Sequence, residues 1–391
     1  MIRFNLRNLF LGLGIVVFAG SLMAQHADSL HHAQGHEQEH HATEENAFGS
    51  AEIIHHVSDD LGLHIIGDFS IPLPVIIYEP GVGLDVFSSS AFHHAHGLVN
   101  NKYYYHHGKL VIPSLENGQM VHDDHGHVVG KNEARLTDLF TGNDQVFYNF
   151  SITKNVFGIF LAMVLLVLLF GYVAKMCAAR KGEAPKGLQN AIEPLVLFVR
   201  DEVVKPAIGE KHYQRFLPYL LTVFFFIWIS NLLGLVPFLG GLNVTGNIAV
   251  TFTLAFMVLG VQIFNGNKNF WGHIFWFPGV PVPVKIVLAI IEFIGLFSKP
   301  FSLMIRLFAN ITAGHIIIMS IIGITFAFSA NSAVGYSVGL VTSLFSVAMF
   351  TLELLVAAIQ AYIFTLLASL MLGAAVEEHH HHEDHGTSHA H

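Results

Sequence analysis

Three side chains that hold or exchange protons lie within two long apolar stretches in the last quarter of the sequence: Arg306, His315 and Glu353. Arginine keeps its charge inside a membrane because its pKa exceeds 12. Placing it at mid-bilayer costs at least about 2.5–3.5 kcal/mol. His315 and Glu353 can take up and release protons. A fixed cation beside such groups is typical of an ion path with an electrostatic barrier.

Polar residues form a narrow stripe on the first of the two helices that these stretches predict. Glu292, Lys299 and Arg306 recur every seven residues, which keeps them on one side of a helix with 100° per residue. Asn310, four residues after Arg306, lies on the same side. His315 follows Arg306 by nine residues and therefore points to the opposite face.

The second helix carries a matching stripe of Ser346, Glu353 and Gln360, again seven residues apart. One interpretation is that such buried polar residues only hold helices together. For Gln360 and Asn310 this interpretation competes evenly with a role in transport. For Arg306 it is weak, because a permanent buried pair with Glu353 would be a costly way to hold a bundle.

The composition is that of a membrane protein. Of the 391 residues, 53% are hydrophobic and only 12% are charged, and the mean hydropathy is +0.54. The formal charge of −9 comes mainly from acidic residues near the two ends. Cys177 is the single cysteine, so the chain cannot form an internal disulfide.

Five segments are apolar enough to span a membrane, and they predict an all-α polytopic membrane protein with about five spans. Three have ordinary lengths: Phe157–Val173, Phe216–Leu235 and Asn247–Phe264. The last two, about Val284–Phe328 and Ala333–Val376, exceed the ~20 residues that a perpendicular span needs. Each must therefore be a strongly tilted helix or two helices in series.

The segments between the spans are less apolar. Residues 188–205 mix apolar and charged positions at helical spacing, which predicts an amphipathic helix at the inner surface. A glycine-rich turn at 240–243 joins the second and third spans. Residues 265–284, rich in aromatics, glycine and proline, are predicted to form a loop.

Residues 1–24 resemble a secretory signal, with a basic start at Arg3 and Arg7 and a short apolar core that ends before Ala24. The alternative is an uncleaved first membrane helix, although the apolar run is short for a span. Basic residues after Val173 mark the inner side of the membrane, which places residues 25–150 outside. The tail, residues 377–391, is then cytoplasmic.

Residues 25–150 contain most of the chain's 27 histidines. The part up to Glu45 is of low complexity and is expected to be disordered. Strand-like runs at 63–66, 75–78, 102–105 and 110–112 predict a small module that contains β-structure. The histidines could bind metal or buffer protons. A solubilising extension is favoured, because no cysteine or carboxylate spacing there matches a metal site.

The polar stripes also occur in motifs that resemble a known family. The run SKPFSLMIRLFANITAGH, the motif NLLGLVP from Asn231 to Pro237, and LELLVAAIQAYIFTLLASLML are similar to the a subunit of F-type ATP synthases. The resemblance covers about Thr153–Val376, here taken as a membrane domain of residues 151–376. Residues 25–150 and the histidine-rich tail lie outside it.

The resemblance implies a stator subunit beside a rotating ring of c subunits, each with a membrane-embedded carboxylate. Two proton half-channels, one from each side, reach this ring at different places. Arg306 corresponds to the essential arginine between them, and Glu292 corresponds to a position near the inner exit. The positions that line the outer half-channel correspond to Asn310, His315, Glu353 and Gln360.

The resemblance further implies the b subunits of the peripheral stalk, the rest of the ATP synthase complex and membrane lipid as partners, in a bacterial inner membrane. The chain has no GxxxxGK[ST] loop, so ATP chemistry would belong to other subunits. We expect no cofactor, no metal and no nucleic acid. One alternative is a transporter or channel that uses Arg306 to bind an anion. Another is a histidine-rich metal importer or metallo-enzyme.

Overall fold

A computed structural model describes most of the chain in twelve stretches. They are residues 61–66, 69–94, 98–100, 102–106, 109–116, 119–121, 128–133, 146–180, 183–236, 242–276, 281–327 and 332–377. The predicted signal, the low-complexity histidine-rich part, the glycine turn at 240–241 and nearly all of the tail lie outside the described residues. Predictions about them are therefore not tested.

In the described part of the chain, ten strands precede the membrane helices. They are β1 (Gly62–Ile66), β2 (Phe69–Pro72), β3 (Pro74–Glu79), β4 (Gly83–Ser88), β5 (Tyr104–His106), β6 (Lys109–Pro113), β7 (Leu115–Glu116), β8 (Gln119–Met120), β9 (Gly130–Glu133) and β10 (Val146–Asn149). A short helix, α1 (Ser90–His94), follows β4. The four predicted strand-like runs coincide with β1, β3, β5 and β6, so the prediction of β-structure is confirmed.

The remaining helices are α2 (Lys154–Ala179), α3 (Leu188–Phe198), α4 (Lys205–Ile208), α5 (Tyr213–Leu235), α6 (Ile248–Asn265), α7 (Lys268–Phe275), α8 (Val282–Ala327) and α9 (Ser332–Val376). A π-helical segment, Val199–Val204, joins α3 to α4. It ends two residues before Pro206, which has no backbone N–H to continue an α-helical ladder. The predicted amphipathic helix is therefore present and continues to Ile208.

Six strands form one sheet in the order β4-β3-β10-β9-β6-β5. This sheet, with α1, is called the β-domain below. Its core lies on one face and includes Val75, Ile77 and Phe147, which are fully buried. Because successive residues of a strand point to opposite faces, the alternation along β3 places its even-numbered residues on the other face.

An ionic cluster closes the edge of this core. Lys131 Nζ and Lys102 Nζ lie 2.8 Å and 2.7 Å from the carboxylate of Glu79. Burial of Glu79 would raise its pKa, but the hydrogen bonds from the two lysines outweigh burial and lower it. Tyr103 donates to Asp85, and burial together with this bond raises the pKa of Tyr103 to about 12. The cluster is a structural pairing of opposite charges.

The β-domain is joined to the first membrane helix by a short connection. Phe150 N donates to the Ile76 carbonyl at 2.8 Å, and Ile152 N donates to the Pro74 carbonyl at 3.1 Å, so β-type pairing continues beyond β10. Thr153 Oγ1 then accepts from Val156 N and caps α2. Only one residue, Thr153, separates the last of these backbone bonds from α2.

Within the described residues, five helices are long and apolar enough to cross a membrane: α2, α5, α6, α8 and α9. This confirms the predicted polytopic all-α class and the five spans. Helix α9 packs against α5, α6 and α8, and α2 packs against α5. The centre of the bundle is apolar, with Leu220, Phe225 and Phe364 fully buried.

The two C-terminal helices are continuous, with 46 residues in α8 and 45 in α9. Of the two possibilities left open by their length, a single long helix is the one observed, and Pro300 lies inside α8 without ending it. The predicted loop at 265–284 is partly wrong, because α7 occupies its centre. Apolar packing explains the difference, since Phe270 and Trp271 contact a core formed by Leu259, Ile274 and Leu296.

Candidate functional site

His315 and Glu353 face each other between α8 and α9. His315 Nδ1 lies 3.3 Å from Glu353 Oε1, and the two side chains are only 11% and 5% exposed. The same nitrogen lies 2.9 Å from the Ile311 carbonyl, and Nε2 lies 3.2 Å from the Gly234 carbonyl. Carbonyl oxygens only accept hydrogen bonds, so each ring nitrogen can donate to the carbonyl beside it when it carries a proton.

Glycines create the space for this pair. A β-carbon on Gly314 would lie 2.7 Å from Glu353 Oε1, too close for any side chain without displacement of the carboxylate. A β-carbon on Gly234 would lie 3.5 Å from His315 Cε1 and 3.0 Å from a backbone oxygen of Leu242. Among the residues that the structure describes, His315 is the only ion-pair partner of Glu353. The carboxylate is therefore buried, with one titratable neighbour.

Asn310 and Gln360 make a second polar link between α8 and α9. Asn310 Nδ2 donates to Gln360 Oε1 at 2.9 Å, and Gln360 is 1% exposed. Gln360 Nε2 has no hydrogen-bond partner within the described stretches. Gln360 lies seven residues after Glu353, so the two links follow each other along the same face of α9.

Asn231 and Thr245 extend the polar region towards the turn between α5 and α6. Asn231 Nδ2 donates to the Ala357 carbonyl at 3.4 Å, and Thr245 Oγ1 donates to Asn231 Oδ1 at 2.5 Å. Ala357 lies between Glu353 and Gln360 on α9. Asn231 was noted in the sequence only as part of a motif, and Thr245 was missed, because a lone threonine in a turn gives no periodic signal.

Arg306 lies on a different side of α8 from His315, as the spacing of nine residues predicts. Its side chain is exposed, and no ion pair or hydrogen bond to it is found among the described residues. In particular, Glu353 pairs with His315 and not with the arginine. An exposed arginine in the middle of an apolar helix is costly in lipid unless another group offsets its charge.

Glu292 lines a separate cleft of about 290 Å³ on the other side of Arg306 along α8. The cleft lies between α6, α7, α8 and the end of α9. Its polar lining residues are Gln262, Asn269, His273, Glu292, Lys299 and Glu377. Gln262 is 3% exposed, and its Oε1 accepts no hydrogen bond within the described part of the chain. Gln262 is not among the residues predicted from the sequence, since one glutamine in an apolar span shows no pattern.

The end of α9 is held beside this cleft by the segment between α6 and α7. Asn267 N donates to the Ala375 carbonyl at 2.9 Å, and Asn267 Nδ2 donates to the Val376 carbonyl at 3.0 Å. These bonds satisfy two of the carbonyls that a helix end leaves without partners. The end of α9 is therefore held in place where it lines the cleft.

Together, the predicted residues fall into three groups along α8. Glu292 lies about 21 Å from Arg306 along the axis, and His315 lies about 14 Å from it in the other direction, at 1.5 Å per residue. His315, Glu353, Asn310 and Gln360 are brought together, whereas Glu292 lies apart from them. No cluster of three or more metal-ligating side chains occurs in the part of the chain that the structure describes.

Comparison with known proteins identifies families that match two regions of this chain. The profile of the family described as ATP synthase A chain matches residues 156–373. Residues 52–139 match a second family, described only as a domain of unknown function. The matched regions correspond to most of the β-domain and to nearly all of the membrane helices.

Several curated relatives carry the name ATP synthase subunit a. One from Chloroherpeton thalassium is 43% identical over 252 residues, which is 62% of this chain and 71% of the relative. One from Chlorobium phaeobacteroides is 45% identical and covers 58% of this chain and 66% of its own length. One from Anaeromyxobacter dehalogenans is 35% identical over 327 residues, 80% of each chain.

Proposed function

The chain belongs to the ATP synthase A chain family, the proton-translocating membrane subunit of the Fo sector, and we propose that its polar groups form two half-channels against a c-ring. In this proposal the outer half-channel runs along Asn310, His315, Glu353 and Gln360. The inner half-channel is the cleft that contains Glu292. Arg306 separates them. This subunit is not the catalytic one, so ATP is made on other subunits of the complex.

The exposed position of Arg306 is the observation that carries the proposal. A carboxylate on a passing ring subunit would offset the charge of Arg306, and Arg306 would favour loss of that carboxylate's proton. Its fixed charge would also repel a proton moving directly from one half-channel to the other. Both effects require an arginine that is free between encounters. An arginine paired with Glu353 could provide neither.

The two polar regions supply protons on opposite sides of Arg306. The His315–Glu353 pair can hold a proton on either partner, as a relay requires. Gln262 lines the cleft near Glu292, and its side-chain oxygen is a hydrogen-bond acceptor available to the cleft. Each proton that crosses gains about 2.3 kcal/mol per 100 mV. Several crossings are therefore needed per ATP, and a rotating ring adds them together.

The proposed partners are the c-ring, the b subunits of the peripheral stalk and the rest of the ATP synthase complex, in a bacterial inner membrane. In the proposed orientation, residues 25–150 are periplasmic and residues 377–391 are cytoplasmic, which an odd number of spans between them allows. The proposed division is 1–24 signal, 25–150 periplasmic region, 151–376 membrane domain and 377–391 tail. The comparisons do not support the alternative of an anion transporter or channel.

Replacement of Arg306 tests this function. In inverted membrane vesicles, Arg306→Ala should abolish ATP-driven proton pumping and leave ATP hydrolysis by the soluble sector intact. Lys285→Ala, near the start of the same helix and outside the residues that line the cleft, is the matched control and should retain pumping. Pumping by the Arg306→Ala complex at the parental rate would overturn the proposal.

A further inference from the structure

One face of the β-domain is apolar and exposed. On β3, β4 and β10, alternation places Ile76, Tyr78, Leu84, Val86, Tyr148 and Phe150 on this face, called the apolar face below. Tyr78 is 43% exposed, Leu84 and Val86 are each 61% exposed, and Phe150 is 49% exposed. The register confirms that they are neighbours, because Tyr78 pairs with both Leu84 and Tyr148.

The apolar face carries no charged side chain on these three strands. The charged residues of β3 and β4, Glu79 and Asp85, lie on the opposite face with the core. Contiguous apolar surfaces without charge are uncommon on domains that contact only water. The absence of charge also argues against an electrostatic partner such as a basic or acidic protein segment.

Aromatic rings form a row across the apolar face towards the membrane. The centroids of Tyr78 and Tyr148 are 6.2 Å apart, and those of Tyr148 and Phe150 are 6.5 Å apart. Phe150 lies four residues before α2 begins. Tyrosine is enriched where proteins meet the headgroup region of a bilayer, since its ring is apolar and its hydroxyl is polar.

The connection to α2 keeps this face close to the bilayer. Ile152 is the last residue that pairs with β3, and α2 begins at Lys154. Two residues extend at most about 7 Å, because an extended chain advances about 3.6 Å per residue. The sheet therefore cannot move far from the membrane surface that α2 enters.

We propose that the apolar face of the β-domain rests on the lipid bilayer, with its aromatic row in the headgroup region. Lipid is the partner because the face is apolar, carries aromatic rings at the end nearest α2 and is connected to a membrane helix. This contact would fix the tilt of the β-domain and anchor the outer end of α2. The proposal depends on α2 as a membrane span and not on the path of protons.

Spin labels on the apolar face test the contact in the whole complex. In a Cys177→Ser background, a nitroxide is attached to Leu84→Cys or Val86→Cys, and the assembled complex is placed in liposomes. The control is Leu115→Cys on β7, a leucine that is 47% exposed but lies outside the six-stranded sheet. Accessibility to oxygen, which concentrates in lipid, is compared with accessibility to a water-soluble nickel chelate.

We expect the ratio of oxygen to nickel accessibility to be several-fold higher at positions 84 and 86 than at 115. Equal ratios at the three positions would show that the face is in water and overturn the proposal. Low accessibility to both reagents at 84 and 86 would show burial by a protein, whether another subunit or a second copy, and would also overturn it. Two positions on the apolar face are labelled, so that the result does not depend on a single variant that disturbs assembly.

Discussion

Gly314 faces Glu353 so closely that a methyl group on its α-carbon would lie 2.7 Å from Oε1 of the carboxylate. We predict that Gly314→Ala displaces Glu353 from His315 and slows proton transport about tenfold or more. A displacement of about 1 Å can cost a reacting group about 100-fold. The measurement is ATP-driven acidification of inverted vesicles. Gly295→Ala on the same helix is the control, since a β-carbon there meets nothing within 4 Å.

The contact between His315 and Glu353 predicts that the two side chains can be exchanged. His315→Glu and Glu353→His should each reduce pumping strongly, because each leaves two like groups in one buried site. The double exchange restores one acid and one imidazole and should recover a large part of the rate. A double variant no faster than either single one would contradict the idea that the pair acts as a unit.

The bond between Asn310 and Gln360 predicts a measurable coupling between α8 and α9. Asn310→Leu and Gln360→Leu should each lower the free energy of unfolding of the subunit in detergent. In a double-mutant cycle the coupling should be about 0.6 kcal/mol, and at most about 1.7 kcal/mol, as for other hydrogen bonds between membrane helices. A coupling of zero would mean that the two amides act independently.

Much of this site could be predicted from periodicity. The seven-residue spacing places Glu292 and Arg306 on one stripe, and the nine-residue spacing places His315 on the other side, where it is found. The groups from other elements that reach the site could not be predicted. The Gly234 carbonyl and Thr245 reach the site through the packing of α5 and the turn after it. Such contacts depend on tertiary packing and leave no repeat in the sequence.

The same distinction applies to the fold. Long apolar runs predicted all five spans, because burial in lipid requires an apolar side chain at almost every position. Helix α7 was missed because its eight residues are mixed in polarity and its stability comes from packing on α8. In the β-domain the alternation along β3 could be predicted, but the pairing of β3 with β10, some seventy residues later, could not.

The β-domain should respond to pH through Glu133. Burial raises its pKa from 4.5 to about 7, although Asn149 donates a hydrogen bond to it at 2.6 Å. The folded state therefore holds a proton that the unfolded state releases, and stability should fall as the pH rises from about 4.5 to about 7. Glu133→Gln should remove this loss. Limited proteolysis of the β-domain in the full chain, at pH 5 and pH 8, measures it.

Glu79 provides the opposite dependence and serves as the internal comparison. Its pKa is lowered, so its contribution to stability is present above pH 4.5 and is lost as the pH falls through the lowered value. Glu79→Gln should therefore make the β-domain more sensitive to protease at pH 8. If Glu133→Gln had the same effect as Glu79→Gln at pH 8, the assignment for Glu133 would be wrong.

Removal of residues 25–150 tests whether that region is an accessory to transport. The deletion has to end after β10. Because β10 pairs with β3, a deletion that removed β3 and left β10 would expose the buried Phe147. We expect the shortened subunit to assemble and to support proton transport. Loss of transport in a fully assembled complex, seen by pumping assays on purified material, would show that the region takes part in proton delivery.

The unbroken length of α8 has a geometric consequence. Its 46 residues extend about 69 Å, more than twice the ~30 Å of a hydrocarbon layer, so a helix held within that layer leans about 60° from the membrane normal. Glu292 and His315, about 35 Å apart along the axis, are then separated by about 30 Å sideways and by about half the thickness of the hydrocarbon layer in depth. If these two residues belong to the proposed half-channels, entry and exit would lie at different points on the circumference of the rotor. A proton would then complete the crossing by travelling that arc on a moving carrier.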